Sequence, residues 1–247
     1  MKNKTDYIYG LRPVLEAIRS GKPIDRILLK KGLRGSLYFE VMEELDKSSI
    51  PYQFVPMEKL NRTTNNSSHQ GVIAMLSAIE YHDIHTLLPG IWETGRDPLL
   101  IMLNNVSDVR NFGAIARSAE CFGADCILIP EKGAARINAD AVKASAGALN
   151  NIPVARVKSI MKALEFLKDS GLKIMSASER GDNKISAADL SGPAVLVIGS
   201  EDRGISPEIL EITDIHLSIP MIGRTESLNV SVAAGILLYK IAENRMQ

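Results

Sequence analysis

The sequence predicts an α/β protein whose larger part contains a mostly parallel sheet. From Leu99 onward, short apolar runs alternate with segments whose apolar residues recur at spacings of three and four, as helices require. The runs LLIML at 99–103 and AVLVI at 194–198 are apolar throughout, which is typical of strands covered on both faces. Before residue 79, a shorter series of strands and helices predicts a second, smaller α/β domain.

The first 78 residues predict this small domain. Within 7–20, the side chains of Val14, Leu15 and Ile18 lie at helical spacing and predict a short helix. We expect strands at 26–30, 52–55 and 72–76, a helix at 37–46 and a polar segment at 61–70. The basic residues of the chain also concentrate early: Lys2, Lys4, Arg12, Arg19, Lys22, Arg26, Lys30, Lys31 and Arg34. A solvated face is the commoner explanation for such a cluster.

Residues 79–98 predict a linker, because they carry Pro89, Gly90, Gly95 and Pro98 without a clear hydrophobic period. The second domain is then expected over 99–247. Its predicted strands are 99–103, 126–129, 154–157, 172–177, 194–198 and 215–219. Its predicted helices are 111–122, 140–149, 159–167 and 207–212, followed by a long C-terminal helix.

The amino-acid composition restricts the cellular compartment of the protein but does not indicate a binding partner. Lysine plus arginine and aspartate plus glutamate both total 29, so any basic surface must be local. Cys121 and Cys126 lack a CxxC spacing, and we expect near-core thiols in a reducing compartment, without a disulfide or a metal site. The N-terminal segment has no apolar signal core, and no run is long enough for a membrane span. We therefore expect a cytoplasmic protein.

The C-terminal helix is apolar on two sides. Its first stripe predicts a face buried against the sheet and consists of Val230, Ala233, Ala234, Leu237, Leu238 and Ile241. Its second stripe contains Val232, Gly235, Ile236 and Tyr239. This second side needs its own cover, which a further layer or a second subunit could provide.

Three polar segments follow predicted strands, at 104–111, 199–206 and 221–229, where ligands of parallel sheets bind. On the first predicted helix, Arg117 lies opposite the apolar stripe among small neighbours, and Asn111 could cap the helix or donate to a ligand. In the second segment, Gly199 allows close backbone approach and Glu201 could accept hydrogen bonds. The chain has neither a dinucleotide-binding nor a P-loop glycine motif.

Taken together, the segments NFGAIARSAECFGAD, LVIGSEDRGIS and IPMIGRTESLNVSVAAGILLYK resemble the three signature motifs of the SpoU branch of the SPOUT RNA methyltransferases. The segment KASAGAL lies between the first two. YGLRPVLEAI and HQGVIAM are similar to the substrate-binding domain of the RlmB subgroup, which methylates a guanosine ribose 2′-oxygen in 23S rRNA. One departure is Val109, where the family usually has proline.

The resemblance implies a deep trefoil knot at the C-terminal end of the second domain and an L30e-like N-terminal domain that binds RNA. It places S-adenosylmethionine in the knot, held by main-chain groups of Gly199, Ile219 and Leu228. It also implies a homodimer through the terminal helix, and basic residues of the first domain that contact RNA phosphates.

The resemblance further implies that Arg117 acts as base or proton acceptor, with Asn111, Glu201, Ser227 and Asn229 shaping the catalytic site. A guanidinium loses its proton only at great cost, so a role in steering phosphate or stabilising a developing alkoxide is equally plausible. The alternatives are a ribose methyltransferase acting on tRNA or on another rRNA site, and a non-catalytic RNA-binding relative. A dinucleotide-dependent oxidoreductase is disfavoured because the phosphate-binding motif is missing.

Overall fold

The chain folds into two compact units, Met1–Glu80 and Tyr81–Gln247. The structure is a computed structural model and describes residues 6–48, 50–178, 183–185, 188–200, 204–225 and 227–246. Among these residues, no helix combines the length and the apolar composition that crossing a membrane requires.

The first unit contains a four-stranded sheet with helices on both faces. Its strands are β1 (Tyr7–Tyr9), β2 (Ile24–Lys30), β3 (Tyr52–Val55) and β4 (Val72–Leu76), in the order β1-β4-β2-β3. Its helices are α1 (Leu11–Arg19), α2 (Ser36–Lys47) and α3 (Met57–Thr63). Helices α1 and α2 cover one face through Val14, Ile18 and Val41, and α3 covers the other through Leu60.

Two elements of the first unit differ from the sequence prediction. Tyr7–Tyr9 is a strand, paired antiparallel with β4, and the helix begins only after Gly10, whose φ of 93° suits glycine. The predicted polar segment at 61–70 overlaps the end of α3, which the sequence pattern did not reveal. Helix α3 is too short to show a period and is fixed mainly by the buried Leu60.

The second unit contains an eight-stranded sheet in which every described pairing is parallel. Its strands are β5 (Tyr81–His82), β6 (Leu99–Leu103), β7 (Cys126–Pro130), β8 (Val154–Val157), β9 (Lys173–Ala177), β10 (Asn183–Lys184), β11 (Ala194–Ile198) and β12 (Ile215–Ser218). Their order is β10-β12-β9-β11-β6-β7-β8-β5. Its helices are α4 (Ile84–Glu93), α5 (Val109–Cys121), α6 (Ala139–Ala144), α7 (Ile160–Asp169), α8 (Pro207–Ile212) and α9 (Val230–Arg245). The predicted α/β class with a mostly parallel sheet is confirmed.

The segment expected to be a linker is folded into the second unit instead. Strand β5 pairs with β8 at the edge of the sheet, and α4 contributes Ile84, Leu88 and Ile91 to the large core. Asp83 caps α4 by accepting a hydrogen bond from the main-chain N–H of His85. Pro89 lies inside α4, so the proline that suggested a linker is accommodated by a helix that packs well on its apolar side.

The helix predicted at 140–149 is interrupted. Helix α6 ends at Ala144, and a single 3₁₀ turn follows at Ala148–Asn150. Between them, Ala146 and Gly147 both have positive φ, 49° and 89°, which stops the α-helix.

Helix α9 reaches back to the amino ends of the two central strands. The guanidinium of Arg245 donates to the main-chain oxygens of Asp97, Pro98 and Gly192. Asp97 and Pro98 precede β6 and Gly192 precedes β11, so one side chain connects the starts of these two strands.

Candidate active site

The carboxyl ends of four parallel strands meet at one edge of the large sheet. Strands β6, β11, β9 and β12 lie side by side, and the main-chain N–H of Asn104, just after β6, donates to the oxygen of Ile198 at 2.8 Å. The loops after β6, β11 and β12 therefore leave from the same edge, where parallel sheets bind ligands. The candidate site is built from these loops and the helices that follow them.

The start of α5 is capped by Asp108. Its carboxylate accepts hydrogen bonds from the main-chain N–H groups of Arg110 and Asn111, at 2.9 and 2.8 Å. The prediction that Asn111 could itself be the cap is wrong, because it lies three residues inside the helix. Its side-chain amide is therefore available for another contact.

That contact is made with Asn229. The side-chain Nδ2 of Asn229 donates to Oδ1 of Asn111 at 3.1 Å, which joins residues 118 positions apart. Oδ1 of Asn229 accepts from the main-chain N–H of Ser231 at 2.9 Å, so Asn229 is also the N-cap of α9. The cap fixes which end of the amide faces Asn111. The sequence placed both residues in the site, and the structure brings them together.

At Gly199 the main chain after β11 packs directly against the main chain of Gly204 and Ile205. A Cβ built on it would be 2.5 Å from the oxygen of Gly204 and 2.7 Å from the nitrogen of Ile205. The N–H of Gly204 donates to the oxygen of Ser200 at 2.9 Å and closes a tight loop after β11. Glycine is required here because no side chain fits between the end of β11 and the main chain of Gly204 and Ile205.

The remaining predicted residues are distributed as follows. Ile219 follows β12 and is partly buried, Leu228 is partly buried beside the cap of α9, and Ser227 is exposed. Glu201 lies outside the described residues. The structure thus places Ile219, Ser227 and Leu228 in the loop between β12 and α9, without showing which groups they contact.

Arg117 is exposed on the outer face of α5 and has no carboxylate partner among the described residues. The buried residues of this helix are Phe112, Gly113, Ile115, Ala116 and Ala119, as its apolar stripe predicts. Arg110 lies seven residues earlier and therefore on the same exposed face. Helix α5 thus presents to solvent two guanidinium groups without a carboxylate partner among the described residues, which suits an anionic ligand.

Two further helices hold α5 in place. On one side, Gly113 packs against α6, where an added Cβ would meet the Cβ of Ala144 at 2.5 Å and the nitrogen of Ser145 at 2.9 Å. On the other side, the rings of Phe122 and Tyr239 of α9 have centroids 5.8 Å apart. A Cβ on Gly235 of α9 would lie 3.4 Å from Oγ of Ser118. Small residues therefore allow both close helix contacts.

The outer face of α9 is apolar and uncovered within one chain. Val232 is 49% exposed, Ile236 is 38% exposed and Tyr239 is 49% exposed. The first stripe is buried at Val230, Ala234, Leu237, Leu238 and Ile241, and Ala233 is only partly buried. The two faces match the two predicted stripes.

The described side chains at this edge include amides, hydroxyls, the capping carboxylate of Asp108 and the guanidinium groups of Arg110 and Arg117. Among the described residues, no group of three or more His, Cys, Asp or Glu side chains is placed to hold a metal ion. Such a site aligns two reactants through hydrogen bonds and stabilises negative charge on an oxygen. Cys126 is buried in β7 as predicted, but Cys121 is exposed at the end of α5 rather than near the core.

Comparison with known protein families decides the assignment. Residues 98–239 match the SpoU rRNA Methylase family, and residues 7–82 match the family described as RNA 2'-O ribose methyltransferase substrate binding. The chain belongs to the SpoU rRNA methylase family. The first match covers more than half of the chain and includes every predicted site residue.

Individual relatives of this SpoU family member agree. An uncharacterized tRNA/rRNA methyltransferase of Mycobacterium ulcerans is 38% identical over 98% of this chain and 78% of its own length. The Bacillus subtilis protein YacO, provisionally named as a TrmH family tRNA/rRNA methyltransferase, is 33% identical over 99% and 98% of the two chains. The SpoU methyltransferase AviRb of Streptomyces viridochromogenes, crystallised with S-adenosylmethionine, is 25% identical with a TM-score of 0.61, covering 98% and 90% of the two chains.

Two features of this SpoU site were missed from the sequence. The capping role of Asp108 could have been read from an aspartate three residues before Asn111. The close packing of Gly113 on α6 had no sequence signal, because it depends on a contact with residues 31 and 32 positions later. Both features orient α5, which carries Asn111 and Arg117.

Proposed function

We propose that this protein transfers a methyl group from S-adenosylmethionine to the ribose 2′-hydroxyl of a guanosine in 23S rRNA. The observation that carries the proposal is the hydrogen bond between Asn111 and Asn229. It joins the first and third of the motifs that resemble SpoU methyltransferases, at the carboxyl edge of a parallel sheet and beside the glycine loop at Gly199.

The residues present fit the methyl donor. Gly199 is partly exposed at the carboxyl end of β11, where parallel sheets bind ligands, and we assign main-chain groups of Gly199, Ile219 and Leu228 to the donor. S-adenosylmethionine, when bound, supplies a methyl group activated on a sulfonium. The chain lacks a dinucleotide-binding glycine motif, so we assign this edge to S-adenosylmethionine rather than to a ligand with a pyrophosphate.

The C-terminal knot belongs to this proposal. Strand β12 lies outside β9, whereas α9, the next element, packs on α5, which follows β6. The chain must therefore return across the ends of β9 and β11 between residues 219 and 229. This path supports a threaded C-terminal segment, a rare exception to unknotted topology.

The chemistry assigned to this chain's side chains is alignment and charge stabilisation. Asn111 and Asn229 are held together and shape the pocket, with Ser227 nearby in sequence and Glu201 assigned to the same site. Arg117 faces solvent with no carboxylate partner among the described residues and is available for the phosphate or the developing alkoxide of the RNA. Arg117→Lys tests this assignment, since near-full turnover would argue against any role that needs a guanidinium.

A homodimer completes the proposal. Tyr239 of the exposed stripe packs against Phe122, just after α5, so a second copy packed on α9 would lie beside the end of α5. Burying such a stripe in a two-fold interface would cover it with the same surface of the partner. The interface is proposed from this uncovered face.

The deciding experiment maps ribose methylation in rRNA and tRNA from cells with and without this protein. Loss of one 2′-O-methylguanosine in 23S rRNA, restored by purified protein with S-adenosylmethionine, is the expected result. An unchanged methylation pattern in rRNA together with the loss of a methylated site in tRNA would make tRNA the substrate instead of 23S rRNA. Relatives named as tRNA/rRNA methyltransferases make tRNA the second candidate. A protein that does not bind S-adenosylmethionine in calorimetry would instead be a non-catalytic RNA-binding relative. The proposed substrate places the enzyme in the cytoplasm.

A further inference from the structure

Three segments of the first unit meet at one end of its sheet. The strands β1, β2 and β3 finish at this end and β4 begins there, as their pairing shows. The main-chain N–H of Leu11 donates to Oε1 of Gln70 at 3.0 Å, and the N–H of Lys30 donates to the oxygen of Gly71 at 2.8 Å. Gly71 faces the side chain of Leu33, and an added Cβ would lie 2.7 Å from its Cδ2. We call the surface formed by residues 10–12, 30–35 and 61–71 the loop end.

The basic residues of the first unit divide between the two ends of its sheet. Arg12, Lys30, Lys31 and Arg34 are exposed at the loop end, and none has a carboxylate partner among the described residues. The loop end also receives α3, which carries Glu58 in its first turn and Arg62 in its last turn.

Two of the exposed basic residues at the opposite end, Arg19 and Lys47, are paired with carboxylates. There Arg19 contacts Glu40 and Glu44 at 3.4 and 3.3 Å, and Lys47 contacts Glu43 at 2.8 Å. Exposed pairs of this kind contribute little to stability, but they cancel charge locally. The uneven distribution of carboxylates, rather than the number of basic residues, makes the loop end the positive surface of this unit.

The polar loop at this end is held in one conformation by His69. This side chain is only 3% exposed, and its Nδ1 accepts a hydrogen bond from the main-chain N–H of Gly71 at 3.0 Å. Nε2 therefore carries the proton and donates to Oδ1 of Asn61 at 2.8 Å. Oγ of Ser67 donates to the oxygen of Thr64 at 2.7 Å. The loop is thus fixed at both of its ends before any ligand arrives.

The fixed loop presents two amides to solvent. Asn65 and Asn66 are exposed and have φ of 51° and 62°, a backbone conformation that asparagine tolerates better than most residues. Tyr9, 38% exposed, lies at the end of β1 on the sheet face that α3 covers. Exposed amides can read base edges, and an exposed aromatic ring can stack on an unpaired base.

We propose that the loop end is the RNA-docking surface of the first unit. Arg12, Lys30, Lys31 and Arg34 neutralise phosphates, and Asn65 and Asn66 contact the bases of a single-stranded or looped RNA segment. The proposal rests on the proposed function, since it assigns the surface through which the enzyme holds its RNA substrate. It excludes the opposite end of the domain, although that end also carries exposed lysine and arginine side chains.

The first test compares two charge-matched triple variants of the full chain. One is Lys30→Gln, Lys31→Gln, Arg34→Gln, and the control is Arg19→Gln, Lys22→Gln, Lys47→Gln at the opposite end. Binding to a transcript of bacterial 23S rRNA is measured by fluorescence anisotropy across a salt series. Three lost phosphate contacts should lower the affinity by roughly 10- to 100-fold near physiological salt and reduce the salt slope by about 2 to 3. The control triple should stay within about 2-fold of the unchanged protein.

The second test separates base contacts from phosphate contacts. In Asn65→Gly, Asn66→Gly, glycine keeps the left-handed backbone and removes only the amides. We expect weaker binding to the 23S transcript with an unchanged salt slope, because no charge is lost. Binding of S-adenosylmethionine by calorimetry should be unchanged in all three variants, which shows that the second unit remains folded.

The outcomes distinguish this inference from the proposed function. Suppose that the unchanged protein binds and methylates 23S rRNA. If the loop-end triple variant then keeps the full RNA affinity, or if the control triple variant loses as much affinity as the loop-end variant, the docking surface is wrong and the proposed function stands. If the unchanged protein neither binds nor methylates 23S rRNA or bulk tRNA, the proposed function fails first. A double glycine variant with full affinity would remove Asn65 and Asn66 from the surface.

Discussion

Asn229 has two roles that substitution can separate. Its Oδ1 caps α9, and its Nδ2 donates to Asn111. Asn229→Ala removes both contacts, and we expect a loss of about 1 kcal/mol for the cap and about 1 kcal/mol for the hydrogen bond. Asn229→Asp keeps an oxygen that can cap α9, but it places a carboxylate oxygen against the Oδ1 of Asn111, where the amide donated. We therefore expect Asn229→Asp to retain most of the cap contribution and to lose catalysis.

The assay pairs urea unfolding with single-turnover methyl transfer to RNA. Asn229→Ala should lower the free energy of unfolding by about 2 kcal/mol, and Asn229→Asp by about half as much. Both should slow methyl transfer at least about 10-fold, since a misplacement near 1 Å in an aligned site costs up to about 100-fold. A double-mutant cycle with Asn111→Ala should give a coupling energy of about 0.5 to 1.5 kcal/mol.

Two results would refute this reasoning. Full activity of Asn229→Asp would mean that the contact with Asn111 does not matter for catalysis. Strict additivity of Asn229→Ala and Asn111→Ala would mean that the two side chains are not coupled in solution. Protein concentration must be held constant in every unfolding experiment, because dimer formation would change the apparent stability.

Three further predictions follow from particular positions. Gly199→Ala should weaken S-adenosylmethionine binding at least about 10-fold in calorimetry, because its Cβ would overlap the main chain of Gly204. Burial raises the pKa of Cys126 to about 12, so native protein at pH 9 should take one iodoacetamide adduct, on the exposed Cys121, by mass spectrometry. Since the folded pKa of this thiol lies above the unfolded one, its contribution to stability is complete below the unfolded pKa and declines as pH rises toward 12. Ile236→Lys should convert the proposed dimer to monomer in sedimentation, and an unchanged mass would argue against the proposed α9 interface.

Much of the fold was predictable because its strands and long helices have strong local patterns. The fully apolar runs became the strands β6 and β11 at the centre of the parallel sheet. The two stripes of the C-terminal helix correctly separated its buried and exposed faces, down to Val232 and Tyr239. In each case the hydrophobic period and the burial depend on the same side chains.

The errors arose where distant contacts override local signals. Tyr7–Tyr9 is a strand only because β4 pairs with it, and a proline inside 84–93 is accepted because the helix buries three large apolar residues. The site was predictable as a set of loops, but the bond between Asn111 and Asn229 was not. It depends on Asp108 taking over the cap of α5, so that Oδ1 of Asn111 accepts from Asn229 instead.

The connection made by Arg245 bears on how the newly synthesised chain matures. Its guanidinium holds the carbonyl groups before β6 and β11, although those strands are translated long before residue 245. The two strands already pair at these ends, where the main-chain N–H of Ala194 donates to the oxygen of Pro98, and the side-chain contacts are added only once that arginine has emerged from the ribosome. The last fastening of these strands is therefore a late event in biosynthesis, and chains arrested before that codon would keep the pairing of β6 with β11 and lack the three guanidinium contacts.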